Sequence, residues 1–108
     1  MANLSSTAQI PAGYTNRYAL TSANGTTGQS LKTGWGVLGC VINSSGSAQT
    51  QTVSLYDANS VSDAVAANLI ATITLTASQV QPYNFPFQNG LVVIAGGAVS
   101  GNVWITWS

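Results

Sequence analysis

The sequence predicts an all-β fold: a single-domain, jelly-roll-like β-sandwich of about eight short antiparallel strands. Three observations predict it. Val, Ile and Thr number 28 against 8 Leu, and such branched side chains fit a pleated surface better than a helix. Short apolar or alternating runs are separated throughout by Gly-, Asn- and Ser-rich turn sequences, at the spacing expected of a sandwich. No stretch repeats at a fixed period, which sets aside solenoids and propellers. A chain of 108 residues supports one hydrophobic core, burying roughly 65% of its unfolded surface.

Taken in order, residues 1–13 are small and polar, punctuated by Pro11 and Gly13, and read as an extended arm ahead of a sandwich domain over 14–108. Tyr14 to Ser22 is a first strand ended by the Asn24-Gly25 turn, and Leu31 to Thr33 is a short second one. Trp35 to Asn43 is apolar on both faces, with Leu38, Cys40 and Ile42 on one and Trp35, Val37 and Val41 on the other. That pattern marks a central strand or an edge covered by a neighbouring subunit. After the Asn43–Ser47 turn, Gln49 to Asp57 alternates, with Val53 and Leu55 inward and Thr50, Thr52 and Ser54 outward. The two segments read as the strongest hairpin in the chain. In the long connection to Asn68, Ser62 to Ala67 reads as a helical turn capped by Ser62. Leu69, Ala71, Ile73 and Leu75 then form one face of a strand, with Thr72, Thr74 and Thr76 on the other. Asn84 to Phe87 contains Pro86, which places it at a sheet edge. Asn89-Gly90 reads as a hairpin turn into Leu91–Ala95, and a glycine-rich turn precedes the last strand, Asn102 to Trp107.

Charge is the most unusual feature. Only 4% of residues are charged, against about 25% in an average globular domain. These are Arg17, Lys32, Asp57 and Asp63, for a net charge of zero. Ser, Thr, Asn and Gln supply 41 residues and must cover the surface, leaving little repulsion to keep copies apart. Enough apolar residues are present to build a core, so the polarity is not that of a disordered chain. Two cations cannot neutralise many phosphates, so nucleic acid is not an expected partner. The sequence has no apolar stretch of membrane-spanning length, and a membrane is not expected either. Residues 1–13 show neither a basic nor an apolar signal region, which predicts synthesis and use without export. The glycosylation-type sequons at Asn3, Asn24 and Asn43 then read as ordinary turns.

The residues for catalysis are sparse. There is no His and no Glu, which removes the commonest general base and half of the usual carboxylates. Asp57 and Asp63 flank one loop and read as turn and cap formers. Zinc has only Cys40 as a soft ligand, and two carboxylates six residues apart make a weak calcium site, so no metal and no cofactor is expected. Cys40 lies in an apolar run and reads as a packed core residue. Gly34-Trp-Gly-Val-Leu-Gly39 has the spacing of a dinucleotide-binding loop, but a strand follows it where that loop requires a helix. The reading is of a protein that is not an enzyme. Its candidate interface or ligand contacts are aromatic: Trp35, Trp104, Trp107 and, among the tyrosines, Tyr83. Trp104 and Trp107, three apart on one strand, must face opposite ways, one into the core.

Three stretches carry a resemblance. Val53-Ser-Leu-Tyr-Asp57, Leu69-Ile-Ala-Thr-Ile73, and Phe87-Gln-Asn-Gly-Leu-Val-Val93 followed by Gly96-Gly97 and Val103-Trp-Ile-Thr106 resemble, in that order, small bacteriophage structural proteins of the capsid decoration, cement and head-fibre type. The resemblance covers about the C-terminal two-thirds of the chain, and its motifs are packing and turn signals. It implies a jelly-roll-like module, often a homotrimer, that sits on the capsid surface of a virion and reinforces a shell built of the major capsid protein. Such a protein is made in the host cytoplasm. The alternative is a glycan- or receptor-binding module of a phage tail or fibre, with Trp and Asn side chains contacting sugar.

Overall fold

The computed structural model describes residues 14–44, 50–97, 99 and 101–108. The arm expected over 1–13 and most of the turn expected over 43–47 lie outside them. Eight strands follow in order: β1 Asn16–Leu20, β2 Gln29–Thr33, β3 Gly36–Asn43, β4 Gln51–Tyr56, β5 Leu69–Leu75, β6 Val80–Phe87, β7 Gly90–Ala95 and β8 Val103–Trp107. They form two antiparallel four-stranded sheets, ordered β1-β8-β3-β6 and β2-β7-β4-β5. Successive strands alternate between the sheets except β4 and β5, which pair with each other. This is the double Greek key of a jelly roll. No helix among the described residues is long and apolar enough to cross a membrane.

The core lies between the sheets. Leu20, Leu38, Val41, Phe87, Val103, Ile105 and Trp107 enter it from the first sheet, and Val53, Leu55, Leu75, Leu91, Val93 and Ala95 from the second. The alternation read in Gln51–Tyr56 is present, with Val53 and Leu55 fully buried and Thr52 exposed. On the outer face of the second sheet the hydroxyls of Thr52 and Thr74 meet at 2.9 Å and those of Ser54 and Thr72 at 2.8 Å, a cross-strand pairing that stabilises an antiparallel ladder. One polar clasp ties the sheets together. Asn43, fully buried at the end of β3, donates from Nδ2 to the carbonyls of Leu75 at 3.1 Å and Thr76 at 3.0 Å.

The expected hairpin between β3 and β4 does not form. β3 lies between β8 and β6, and β4 between β7 and β5. Both strands are flanked on either side, and turn chemistry specifies a chain reversal without specifying which sheet the chain re-enters. Asn89-Gly90 is likewise a corner between sheets, since β6 and β7 are not neighbours. β6 is an edge strand, as Pro86 requires, but it begins four residues earlier than expected, at Val80.

Two bulges overturn the facing expected from strict alternation. The register of β3 shifts between Leu38 and Cys40 against β6, and between Leu38 and Val41 against β8. Leu38 and Val41 are therefore both fully buried, while Val37, Cys40 and Ile42 sit half-buried on the outer face. Glycine is required at the bulge: a Cβ on Gly39 would overlap Thr106 Oγ1 and the Tyr14 ring. Cys40 is thus not a core residue. Its N–H donates to Thr106 Oγ1 at 2.9 Å, and its Sγ lies 3.4 Å from the same oxygen. In β5 the register shifts opposite Leu55 and Tyr56, so Ile70 packs against the core and Leu69, expected inward, is 43% exposed. The helical turn expected over 62–67 is instead two short 3-10 turns, Val61–Asp63 and Ala66–Asn68. Ser60, not Ser62, precedes the first, with its Oγ 3.1 Å from Asp63 Oδ2.

Candidate functional site

The four aromatic candidates do not converge. Trp35 occupies the two-residue connection between β2 and β3, 76% exposed, with Lys32 Nζ 5.9 Å from its ring centroid. Trp104 is half-buried on the outer face of the first sheet, under the Arg17 guanidinium at 5.2 Å, a cation–π geometry that β1–β8 pairing sets up. Trp107 belongs to the core. Tyr83, on edge strand β6, packs against that core. Its hydroxyl is buried without a hydrogen-bond partner among the described residues, and this burial pushes the phenol above its ordinary value of 10.0.

What the fold does bring together is the set of connections at one end of the sandwich. Here β2 passes to β3, β4 to β5 and β6 to β7. Backbone and side-chain hydrogen bonds lock them. Gly34 N–H donates to the Asn89 carbonyl at 2.9 Å. The Asp57 carboxylate accepts Gln88 N–H on both oxygens at 3.1 Å and Asn89 N–H on Oδ1 at 2.7 Å. Asp57 N–H in turn donates to the Asn68 carbonyl at 2.8 Å. Gly90 is held close beneath, since a Cβ there would overlap the carbonyls of Ala58 and Lys32. Asp57 is therefore more than a turn former: it satisfies two successive backbone donors at a corner where no strand partner exists.

Around Asp57 lie two adjoining clefts. One, of about 230 Å³, opens between β5 and β6, the edge strands of the two sheets, and is lined by Asp57, Asn68, Asn89, Leu69, Ile70 and Phe85 among others. The other, of about 200 Å³, shares Asp57, Asn68 and Asn89 and adds Asn59 and Asp63. Asn68 Nδ2 donates to the Asp63 carbonyl at 2.8 Å, which fixes the amide over the opening. Among the described residues no three His, Cys, Asp or Glu side chains meet as metal ligands. The chemistry offered is recognition by fixed acceptors and amides beside an apolar wall. Asn68, Asn89, Leu69 and Phe85 were not singled out by sequence reasoning. The available cue was the pair of N–H groups at Gln88 and Asn89, which need an acceptor once they are read as a corner between sheets.

No family model matches the chain, and neither a curated protein nor a solved structure matches it.

Proposed function

We propose that the chain is a non-catalytic structural module used in many copies, and specifically a decoration protein that binds and stabilises an assembled bacteriophage shell, as a homotrimer contacting the major capsid protein. The observation that carries this reading is the distribution of exposed apolar side chains on a nearly uncharged molecule. Six large hydrophobic residues are exposed among the described ones, and four of them, Trp35, Val65, Leu69 and Phe85, belong to or adjoin the connections at one end of the sandwich, while Val61, in the β4–β5 connection, lies near Gly28, just before β2. Exposed aromatic and aliphatic groups favour association with another protein, and with four charged residues in the whole chain little repulsion opposes it. The jelly roll is compatible with this role, being common in capsid and lectin domains, although a fold hosts many functions.

A module of this kind stabilises a shell by binding the assembled state in preference to free subunits. A trimer over a junction touches several subunits at once, and linked weak contacts gain from effective concentration only where the lattice supplies neighbouring sites. The test is co-sedimentation with assembled shells and, separately, with dissociated shell subunits. Binding to shells alone supports the reading; equal binding to both, or to neither, overturns it.

A further inference from the structure

We propose that the cleft between β5 and β6 is a binding site for a neutral pyranose sugar. A pyranose presents one face of C–H groups and a rim of hydroxyls. A site for it needs an apolar wall and convergent polar groups fixed before the ligand arrives. The cleft has both. Phe85, 46% exposed, and Leu69, 43% exposed, form the wall. Asp57, Asn68 and Asn89 bring polar side chains to the same opening from both ends of the β4–β5 loop and from the β6–β7 corner.

The polar groups retain capacity after their internal bonds are counted. A carboxylate offers about four lone-pair sites, and among the described residues the Asp57 oxygens accept Gln88 N–H and Asn89 N–H alone. What remains suits the O–H of a sugar. Asn68 uses one side-chain N–H on the Asp63 carbonyl, leaving its second N–H and its carbonyl oxygen for a neighbouring hydroxyl. The Asp57 carboxylate is held by the Gln88 and Asn89 N–H groups and the Asn68 amide by the Asp63 carbonyl, so binding freezes few rotors in these two side chains. The size of the cleft, about 230 Å³, lies below the ~300 Å³ at which drug-sized pockets begin, and suits one ring rather than several. The charge selects among sugars. Asp57 in this cleft and Asp63 in the adjoining one disfavour acidic sugars, and a neutral hexose or N-acetylhexosamine meets the remaining acceptor sites with hydroxyl donors.

Leu69 and Phe85 also count among the exposed groups of the shell-binding reading, but the two proposals fail separately, since sugar binding is read on the free chain and shell binding by co-sedimentation. The test is titration of the isotopically labelled full chain with the methyl glycosides of galactose, glucose, mannose and N-acetylglucosamine, followed by amide chemical shifts. The expected result is a saturable shift with at least one of them, at the Gln88 and Asn89 backbone amides and the Asn68 side-chain amide, with a dissociation constant in the millimolar range. It should weaken at least tenfold in Phe85→Ala, and in Leu69→Asp as a second variant whose dispersed spectrum reports its fold. It should persist in Trp35→Ala and Trp104→Ala. Absence of a saturable shift with all four sugars overturns the proposal. So does a shift centred on Trp35 or Trp104, or one that survives both cleft variants.

Discussion

Replacing Tyr83 with Phe removes a single oxygen atom from a place where that atom is buried and has no hydrogen-bond partner among the described residues. A buried, unsatisfied hydroxyl costs about 1–3 kcal/mol of desolvation. Tyr83 lies on an edge strand and its ring is only half-buried, which places the expected gain at the low end, about 1 kcal/mol in favour of the Phe variant. For a chain of this length that corresponds to a rise in Tm of about 4–8 °C, measured by circular dichroism at neutral pH. The pH dependence has a definite sign. The folded-state phenol titrates above the ordinary 10.0, so as pH rises past that value the unfolded chain loses the Tyr83 proton while the folded chain keeps it. The unfolded state then binds fewer protons, and stability falls with rising pH through the folded-state value, with nothing lost below the ordinary one. Tyr83→Phe should remove this share of the alkaline loss. Tyr18→Phe is the matched control: its hydroxyl accepts Asn24 Nδ2, and its removal should destabilise by about 1 kcal/mol. A Tyr83→Phe protein that melts below the parent, or that keeps the full alkaline loss, would refute the assignment of that hydroxyl as unsatisfied.

Three further outcomes can be checked. Asn43→Ala deletes the donors to the Leu75 and Thr76 carbonyls inside the sandwich and should cost about 2–3 kcal/mol, read as a lower urea midpoint with an unchanged slope. Cys40, half-buried on the outer face of the first sheet, should react with a thiol reagent without denaturant, and Cys40→Ser should change stability by less than about 1 kcal/mol; labelling only after unfolding would restore it to the core. In sedimentation velocity at micromolar concentration the purified protein should run as three copies of its 11.0 kDa chain, and a single-chain species across the whole range would remove the trimer.

The strands were readable wherever one face is buried and the alternation is unbroken. Val53 and Leu55 show this, as does Trp107, which the three-residue spacing to Trp104 had set on the opposite face. Facing failed at Cys40 and at Leu69 for one reason. A bulge inverts the parity of every residue beyond it, and its cue at Gly39 is steric, lying in Tyr14 and in Thr106 at the far end of the chain. Pairing failed where a turn sequence was taken to join neighbours: Asn89-Gly90 reverses the chain but delivers it to the other sheet. The cleft was hidden by the same fact. Asp57 reaches the amides of Gln88 and Asn89, 31 and 32 residues away, because the β4–β5 connection within one sheet meets the β6–β7 corner between the sheets at one end of the sandwich. No local pattern encodes that meeting. Composition, by contrast, carried the near absence of charge directly, and the placement of exposed apolar groups adds to it a direction.

The measurement closest to the central claim is binding of the full chain to assembled shells at low and at high salt, beside the Trp35→Ser variant. Trp35 is 76% exposed on the apolar end of the sandwich and makes no core contact among those of the hydrophobic cluster, so its replacement should leave the fold intact. Contacts made by apolar and hydrogen-bonding groups, in a chain with four charged residues, are little affected by screening. The account predicts that the parent protein pellets with shells equally at both salt concentrations and that Trp35→Ser pellets at least tenfold less. Binding that vanishes at high salt, or that Trp35→Ser retains in full, would contradict it.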